Sequence, residues 1–147
     1  MDIVTSDRYK LIASVYLLFV KNDKILLLLR ANTGYEDGKY GLVAGHLESG
    51  ESLTNGAIRE AKEESGVVIE PSDLVLRATM HRRQFDERLD FFFEVKKWSG
   101  ELRNAEPDKC DDLSWFPLDD LPANTIPYIR QAIDCYRKDI GYSEFGW

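Results

Sequence analysis

The sequence predicts an α/β protein, a three-layer sandwich with a helix on each side of a mixed β-sheet. Three observations point there. About six segments are rich in Val, Ile, Leu, Tyr and Phe and bounded by turn residues, as strands are. Two segments, near 53–65 and 126–138, carry helical periodicity instead. Two helices can cover the two faces of one sheet but are too few for a doubly wound fold. The 147 residues suit a single domain spanning 1–147.

Each element has a local cause. Leu11 to Val20 and Lys24 to Arg30 read as two strands about a turn at Asn22-Asp23. Their apolar runs are more continuous than strict alternation, so at least one is expected in the sheet centre, buried on both faces. Ala31 to Lys39 is a loop by its Asn, Gly and Asp content, and Tyr40 to Ala44 a short strand. Gly45 to Glu51 is a polar loop. Ser52 is placed to cap a helix that Gly66 stops. Val67 to Ile69 leads into a Pro71-Ser72-Asp73 turn. Leu74 to Gln84 and Leu89 to Trp98 are strand candidates around a charged loop, Phe85 to Arg88. Ser99-Gly100 is a turn, 101–111 mostly loop, Leu113 to Phe116 a short strand, and Asp119 to Pro122 a one-turn element. The second helix aligns Ile126, Ile129, Ile133 and Tyr136 near one face. The aromatic tail from Gly141 to Trp147 is expected to dock.

Composition narrows function. Hydrophobic residues make up 44% and charged residues 31%, which excludes a disordered or fibrous chain. The net charge of -7 has the wrong sign for a sequence-independent binder of a nucleic-acid polymer. A small phosphorylated ligand stays open, because a bound divalent cation inverts the local field. Cys110 and Cys135 form no CxxC pair and read as ordinary buried thiols, which suits a cytoplasmic protein. No apolar run approaches the 18 or so residues of a membrane span. Asp2 and Asp7 precede the first run, which argues against a signal peptide. A C₂ homodimer is the commonest assembly for a small enzyme, though no residue singles one out.

The most informative stretch is the first helix. Glu60, Glu63 and Glu64 stand at i, i+3 and i+4 and share a face, with Ala57, Ile58 and Ala61 beside it. Such carboxylates repel one another, and late in a helix they also oppose its dipole. A solvated acidic surface is one reading. A seat for a hard divalent cation is the other, since Mg²⁺ takes carboxylate oxygens together with substrate phosphates.

The wider spacing decides between them. Gly45, Glu51, Arg59, Glu60, Ala61, Glu63, Glu64, Gly66 and Val67 match the pattern Gly-x5-Glu-x7-Arg-Glu-aliphatic-x-Glu-Glu-x-Gly-aliphatic. The segment resembles the Nudix box of the MutT-like hydrolases, with Ala61 a small variant of its aliphatic position. The resemblance implies a Nudix-type α/β/α sandwich and hydrolysis of a nucleoside diphosphate linked to another group, dependent on Mg²⁺ or Mn²⁺. It implies Glu63 and Glu64 as principal metal ligands, Glu60 as ligand or base, and the carbonyl of Ala44 as a further ligand. Arg59 would orient Glu51. Many members have Pro-Gly-Gly before the box, whereas this chain has Val43-Ala44-Gly45. Ala44 keeps the carbonyl but restricts the backbone to ordinary dihedrals.

A second stretch, Glu106-Pro107-Asp108-Lys109-Cys110 with Trp115 and Leu121-Pro122, is similar to a segment of Nudix enzymes that cleave nucleoside triphosphates. It implies Glu106 as an outer ligand or base. On this likeness the expected reaction is attack of water on phosphorus. One of Glu60, Glu64 and Glu106 takes the proton, and the products are a nucleoside monophosphate and pyrophosphate. NDP-sugars, ADP-ribose and dinucleotides are the alternative substrates, and a sensing module without turnover is a third reading. Arg30, His46 and His81 are further candidates for phosphate or the cleft. Phe85, Phe91, Phe93 and Phe116 are candidates to stack a base, although strand aromatics are more often core.

Overall fold

The computed structural model describes residues 8–147; Asp2 and Asp7 lie outside them. The order is β1 (Ile12–Lys21), β2 (Lys24–Arg30), β3 (Tyr40–Gly41), β4 (Val43–His46), α1 (Leu53–Ser65), β5 (Leu74–Gln84), β6 (Asp86–Val95), β7 (Cys110–Pro117), α2 (Pro127–Arg137) and β8 (Tyr142–Phe145). A single 3₁₀ turn at Pro71–Asp73 precedes β5.

β1 and β2 meet at Asn22 and Asp23, both with positive φ, as a type I′ hairpin turn requires. Only Val20↔Ile25 and Lys21↔Lys24 pair before the strands part. β4 then takes the freed edge of β1, from Leu17↔Val43 to Ser14↔His46. β2 turns away to pair with β3 and β7. The other edge of β1 pairs in parallel with β6, followed by β5 and then β8. The sheet is mixed and eight-stranded, larger than the sequence suggests because β3 and β8 are too short to carry a pattern.

Alternation along β1 and β2 sorts the core into two layers. Val15, Leu17, Phe19, Leu26 and Leu28 pack with Ala57 and Ala61 of α1. Tyr16, Leu18, Ile25 and Leu27 pack with Ile126, Ile129, Ala132 and Ile133 of α2. Both strands are therefore buried on both faces, which explains their continuous apolar runs. The arrangement is the expected three-layer sandwich. Ala57 and Ala61 are fully buried, and their small size lets α1 lie close to the sheet.

Several boundaries shift. The Phe85 to Arg88 loop is replaced by a tight reversal at Phe85, with Gln84↔Asp86 already paired and β6 ending at Val95. Phe85 reaches this reversal with φ at 66°, a conformation that composition does not announce for a bulky residue. β7 begins at Cys110 because Cys110 and Asp112 pair with Arg30 and Leu29 at the end of β2, across a register shift that skips Asp111. Asp119 to Pro122 is a turn and irregular backbone, not a helical element. The tail docks as β8, beside β5. Cys110 and Cys135 are free and buried. Among the described residues no helix is long and apolar enough to cross a membrane.

Candidate active site

The parting of β1 and β2, with β4 wedged between them, leaves a cleft of about 630 Å³. Its wall runs from the glutamates of α1, past Ala44, Gly45 and His46, to Ile126, Tyr128 and Ile129. Arg30, Thr33, Tyr35, Glu106 and Lys109 complete the lining, with the Glu106 segment tied to the end of α1 by the Ala105 amide on the Glu64 carbonyl at 3.1 Å.

The acidic end is fixed by capping and by one arginine. Ser52 accepts a hydrogen bond from the Asn55 amide at 3.1 Å and starts α1 in register. Gly66, at φ 76°, ends it and returns its amide to the Lys62 carbonyl. Arg59 donates to both oxygens of Glu51, at 2.7 and 2.9 Å, and also to Glu60 at 2.7 Å and Glu63 at 3.2 Å. A fifth bond, of 3.1 Å, reaches the His46 carbonyl and ties α1 to the end of β4. This fork holds the Glu51 carboxyl down at about 2, helped by the Glu48 amide.

Glu60 is buried against the backbone of β4. A Cβ at position 45 would collide with its carboxylate, so Gly45 is the only residue that lets this group sit where it does. Burial pushes the Glu60 carboxyl up, while Arg59 pulls the other way. Glu64 is pushed well up by burial, and then by the charges of Glu60 and Glu106, against a smaller opposing pull from the Ala44 amide and Arg30. Glu64 thus lies close enough to both Glu60 and Glu106 in the cleft lining to feel their charge. The side chain of Glu63 is half exposed and turned toward Arg59. Ala44 lines the cleft and is not among the residues of positive φ, so its departure from glycine costs the loop nothing.

Among the described residues no three His, Cys, Asp or Glu side chains are already gathered around a common point at ligating geometry. The donor chemistry nevertheless fits a hard cation. The oxygens are carboxylate and carbonyl, and their surplus negative charge exceeds what Arg59 neutralises.

The other candidates divide. Arg30 lines the cleft, its guanidinium held by the Tyr35 carbonyl at 2.8 Å and Thr33 Oγ1 at 3.1 Å. His46 also lines it and pairs with Arg88 at 2.7 Å. Burial, then the Arg88 charge, lowers its pKa. His81 is not in the cleft wall; it pairs with Glu87 at 2.8 Å and packs on Trp147. Phe91 and Phe93 belong to the α1-side core, and Phe116 packs with Tyr40 on the other side. Phe85 alone of the four is free, 88% exposed, with its ring edge-on to Tyr35; Tyr35 lines the cleft and Phe85 lies outside the lining.

Sequence reasoning missed the far end of the cleft. Arg82 and Asp90, 1% and 0% exposed, form an ion pair of 2.7 Å beneath it. Arg82 also donates to the hydroxyls of Tyr35 and Tyr16, and its guanidinium lies over the Tyr128 ring. Tyr16 bonds Asp90 and Tyr128 at 3.2 Å each. One signal was available. Arg82 follows Met80, and Asp90 precedes Phe92, on the inward period of adjacent strands. A charge at an inward position calls for a buried partner.

Comparison with known proteins agrees with this architecture. The NUDIX domain family model matches residues 8–134. The chain is 32% identical to the NAD-capped RNA hydrolase NudC of Stutzerimonas stutzeri (strain A1501) over 127 residues, 86% of this chain and 43% of that protein. It is 30% identical to NudC of Escherichia coli (strain SMS-3-5 / SECEC) over 114 residues, 78% of this chain and 42% of that protein. The chain thus spans less than half the length of these curated relatives. A MutT NUDIX hydrolase from Burkholderia pseudomallei has a similar structure, with a TM-score of 0.79 and 27% identity over 86% of this chain and 98% of that one. A NUDIX hydrolase from Nitrosomonas europaea gives 0.70 and 25% over 90% and 93%.

Proposed function

The chain belongs to the NUDIX family and is a hydrolase of phosphoanhydride bonds in nucleotide-like substrates, and from that premise we propose that it splits a dinucleotide of the NAD type into two mononucleotides. This replaces the nucleoside triphosphate as the favoured substrate. The structural observation in its support is the aromatic character of the cleft beside its carboxylates. Tyr16, Tyr128 and Tyr35 line it, with the exposed Phe85 edge-on to Tyr35 just outside the lining and the carboxylates of α1 beside them. A dinucleotide has a flat group on each side of its diphosphate, whereas a triphosphate has one. The likeness to NudC proteins, whose name specifies an NAD cap, supports the same choice.

Glu60, Glu63, Glu64 and the Ala44 carbonyl are the residues that would hold Mg²⁺ or Mn²⁺, with Glu106 as an outer ligand. A cation bound there supplies neutralisation of the diphosphate oxygens and an acidified water. The protein's own part is largely positional and electrostatic. Arg59 fixes the glutamate ridge and keeps Glu51 ionised. Arg30 and Lys109, in the same cleft lining, attract the diphosphate and balance charge on the departing phosphate. One of Glu60, Glu64 and Glu106 accepts the proton of the attacking water. The P–O bond to the bridging oxygen breaks, and each product leaves with a terminal phosphate.

The test is product identification after incubation with Mg²⁺ and, separately, NAD⁺, ADP-ribose, an NDP-sugar and a nucleoside triphosphate. Release of NMN and AMP from NAD⁺ with the highest kcat/KM supports the reading. Pyrophosphate release from the triphosphate at a higher kcat/KM returns the assignment to that class.

A further inference from the structure

Ser14 lies on β1 between His46 of β4 and Asp90 of β6. It shares a sheet face with Tyr16, and both line the cleft. Its side chain is 2% exposed, and its hydroxyl has no hydrogen-bond partner. Buried hydroxyls are ordinarily paired, so an orphan in a cleft wall marks a place where a ligand atom belongs.

The surroundings define that ligand. Every charge near Ser14 is matched: Arg82 by Asp90, and Arg88 by Asp86 at 2.7 Å. Both Asp90 oxygens are taken by Arg82 and Tyr16, and the Tyr16 hydroxyl is shared with Asp90, Tyr128 and Arg82. This end of the cleft therefore has no surplus charge for a phosphate. It offers one free hydroxyl beside the largely buried rings of Tyr16 and Tyr128, one already stacked on Phe92 and the other covered by Arg82, which suits the edge of an uncharged heterocycle.

We propose that Ser14 is a specificity-determining residue whose hydroxyl hydrogen-bonds the polar edge of a nucleobase seated beside Tyr16 and Tyr128. The inference rests on the dinucleotide reading only in placing the diphosphate at the acidic end. A site built to hydrogen-bond a base discriminates through the group it would otherwise leave unpaired.

The experiment is equilibrium binding, which needs no turnover. AMP, GMP, CMP, UMP and ribose 5-phosphate are titrated into the parent protein, Ser14→Ala and Ser14→Cys, with the thermal midpoint of each. The best-bound mononucleotide should exceed ribose 5-phosphate in affinity and weaken about tenfold in both variants, the loss of one hydrogen bond in a desolvated site. Ribose 5-phosphate should bind all three proteins alike. The thermal midpoint should not fall in Ser14→Ala, because the hydroxyl has no partner to lose. Equal weakening of ribose 5-phosphate, unchanged mononucleotide binding, or a lowered midpoint with binding intact would overturn the role of Ser14. Failure of the parent to cleave any dinucleotide would instead overturn the proposed reaction and leave the binding result standing.

Discussion

The two ends of the cleft hold charge in opposite ways. Beside α1, a single arginine serves Glu51, Glu60 and Glu63, while Glu64 and Glu106 add further negative charge. Beside α2, one arginine meets one aspartate in a pair closed off by tyrosine hydroxyls. The first end is left unbalanced and is suited to receive positive charge. The second is balanced and suited to read shape and hydrogen bonding. On the proposed dinucleotide reading, this division would suit a substrate that is highly charged in the middle and neutral at its ends.

The comparison breaks most visibly at the balanced end. Asp90→Ala leaves Arg82 buried without its partner and should cost about 3–5 kcal/mol of stability, read from denaturant unfolding. An effect below about 1 kcal/mol would mean that the pair is not buried as described. At the unbalanced end the sign reverses. Glu64→Gln removes a charge that its neighbours repel, so the thermal midpoint should hold or rise while kcat/KM falls about 10²- to 10³-fold. Turnover retained in both Glu63→Gln and Glu64→Gln would remove α1 from the mechanism.

The next test concerns the exposed ring of Phe85. Phe85→Ala should raise KM for a dinucleotide about tenfold, by loss of stacking on one base. It should leave KM for a triphosphate nearly unchanged, and an equal rise for both would deny the ring its role. The smallest effect is electrostatic. Glu51 titrates at about 2 in the folded protein against an ordinary 4.5, so its pairing with Arg59 stabilises fully above 4.5. That contribution is lost as the pH falls toward 2. Unfolding midpoints between pH 5 and 2 should therefore decline less in Glu51→Gln than in the parent.

The legibility of the two ends in the sequence follows the same division. The acidic end is contiguous: helix, cap, stop signal and box lie between Gly45 and Val67, so spacing alone places Glu51, Arg59, Glu60, Glu63 and Glu64. The structure adds the reason for Gly45, which is the seat of Glu60. The balanced end is assembled from β1, β5, β6 and α2. Arg82 and Asp90 meet across the β5–β6 hairpin, but Tyr16 and Tyr128 are far away in the chain and reach them only through parallel pairing of β1 with β6 and the packing of α2. No local period reports such a pairing. Phe85 shows the opposite failure. Its place at a reversal was legible, but its free ring was indistinguishable from the buried rings of Phe91 and Phe93 until the register of β6 was known.

The hairpin of β1 and β2 behaves as a two-tined fork. Its crotch is Asn22-Asp23, and only Leu18 and Phe19 of β1 separate the last pair with β2 from the first pair with β4, while β6 and β7 hold the outer edges. At about 3.3 Å per residue, the mouth stands on the order of 20 Å from the crotch. The gap at the cleft is therefore set by the strands that hold the outer edges of the fork, β6 and β7, and by β4 within it; the residues of β6 and β7 lie mostly outside the cleft wall.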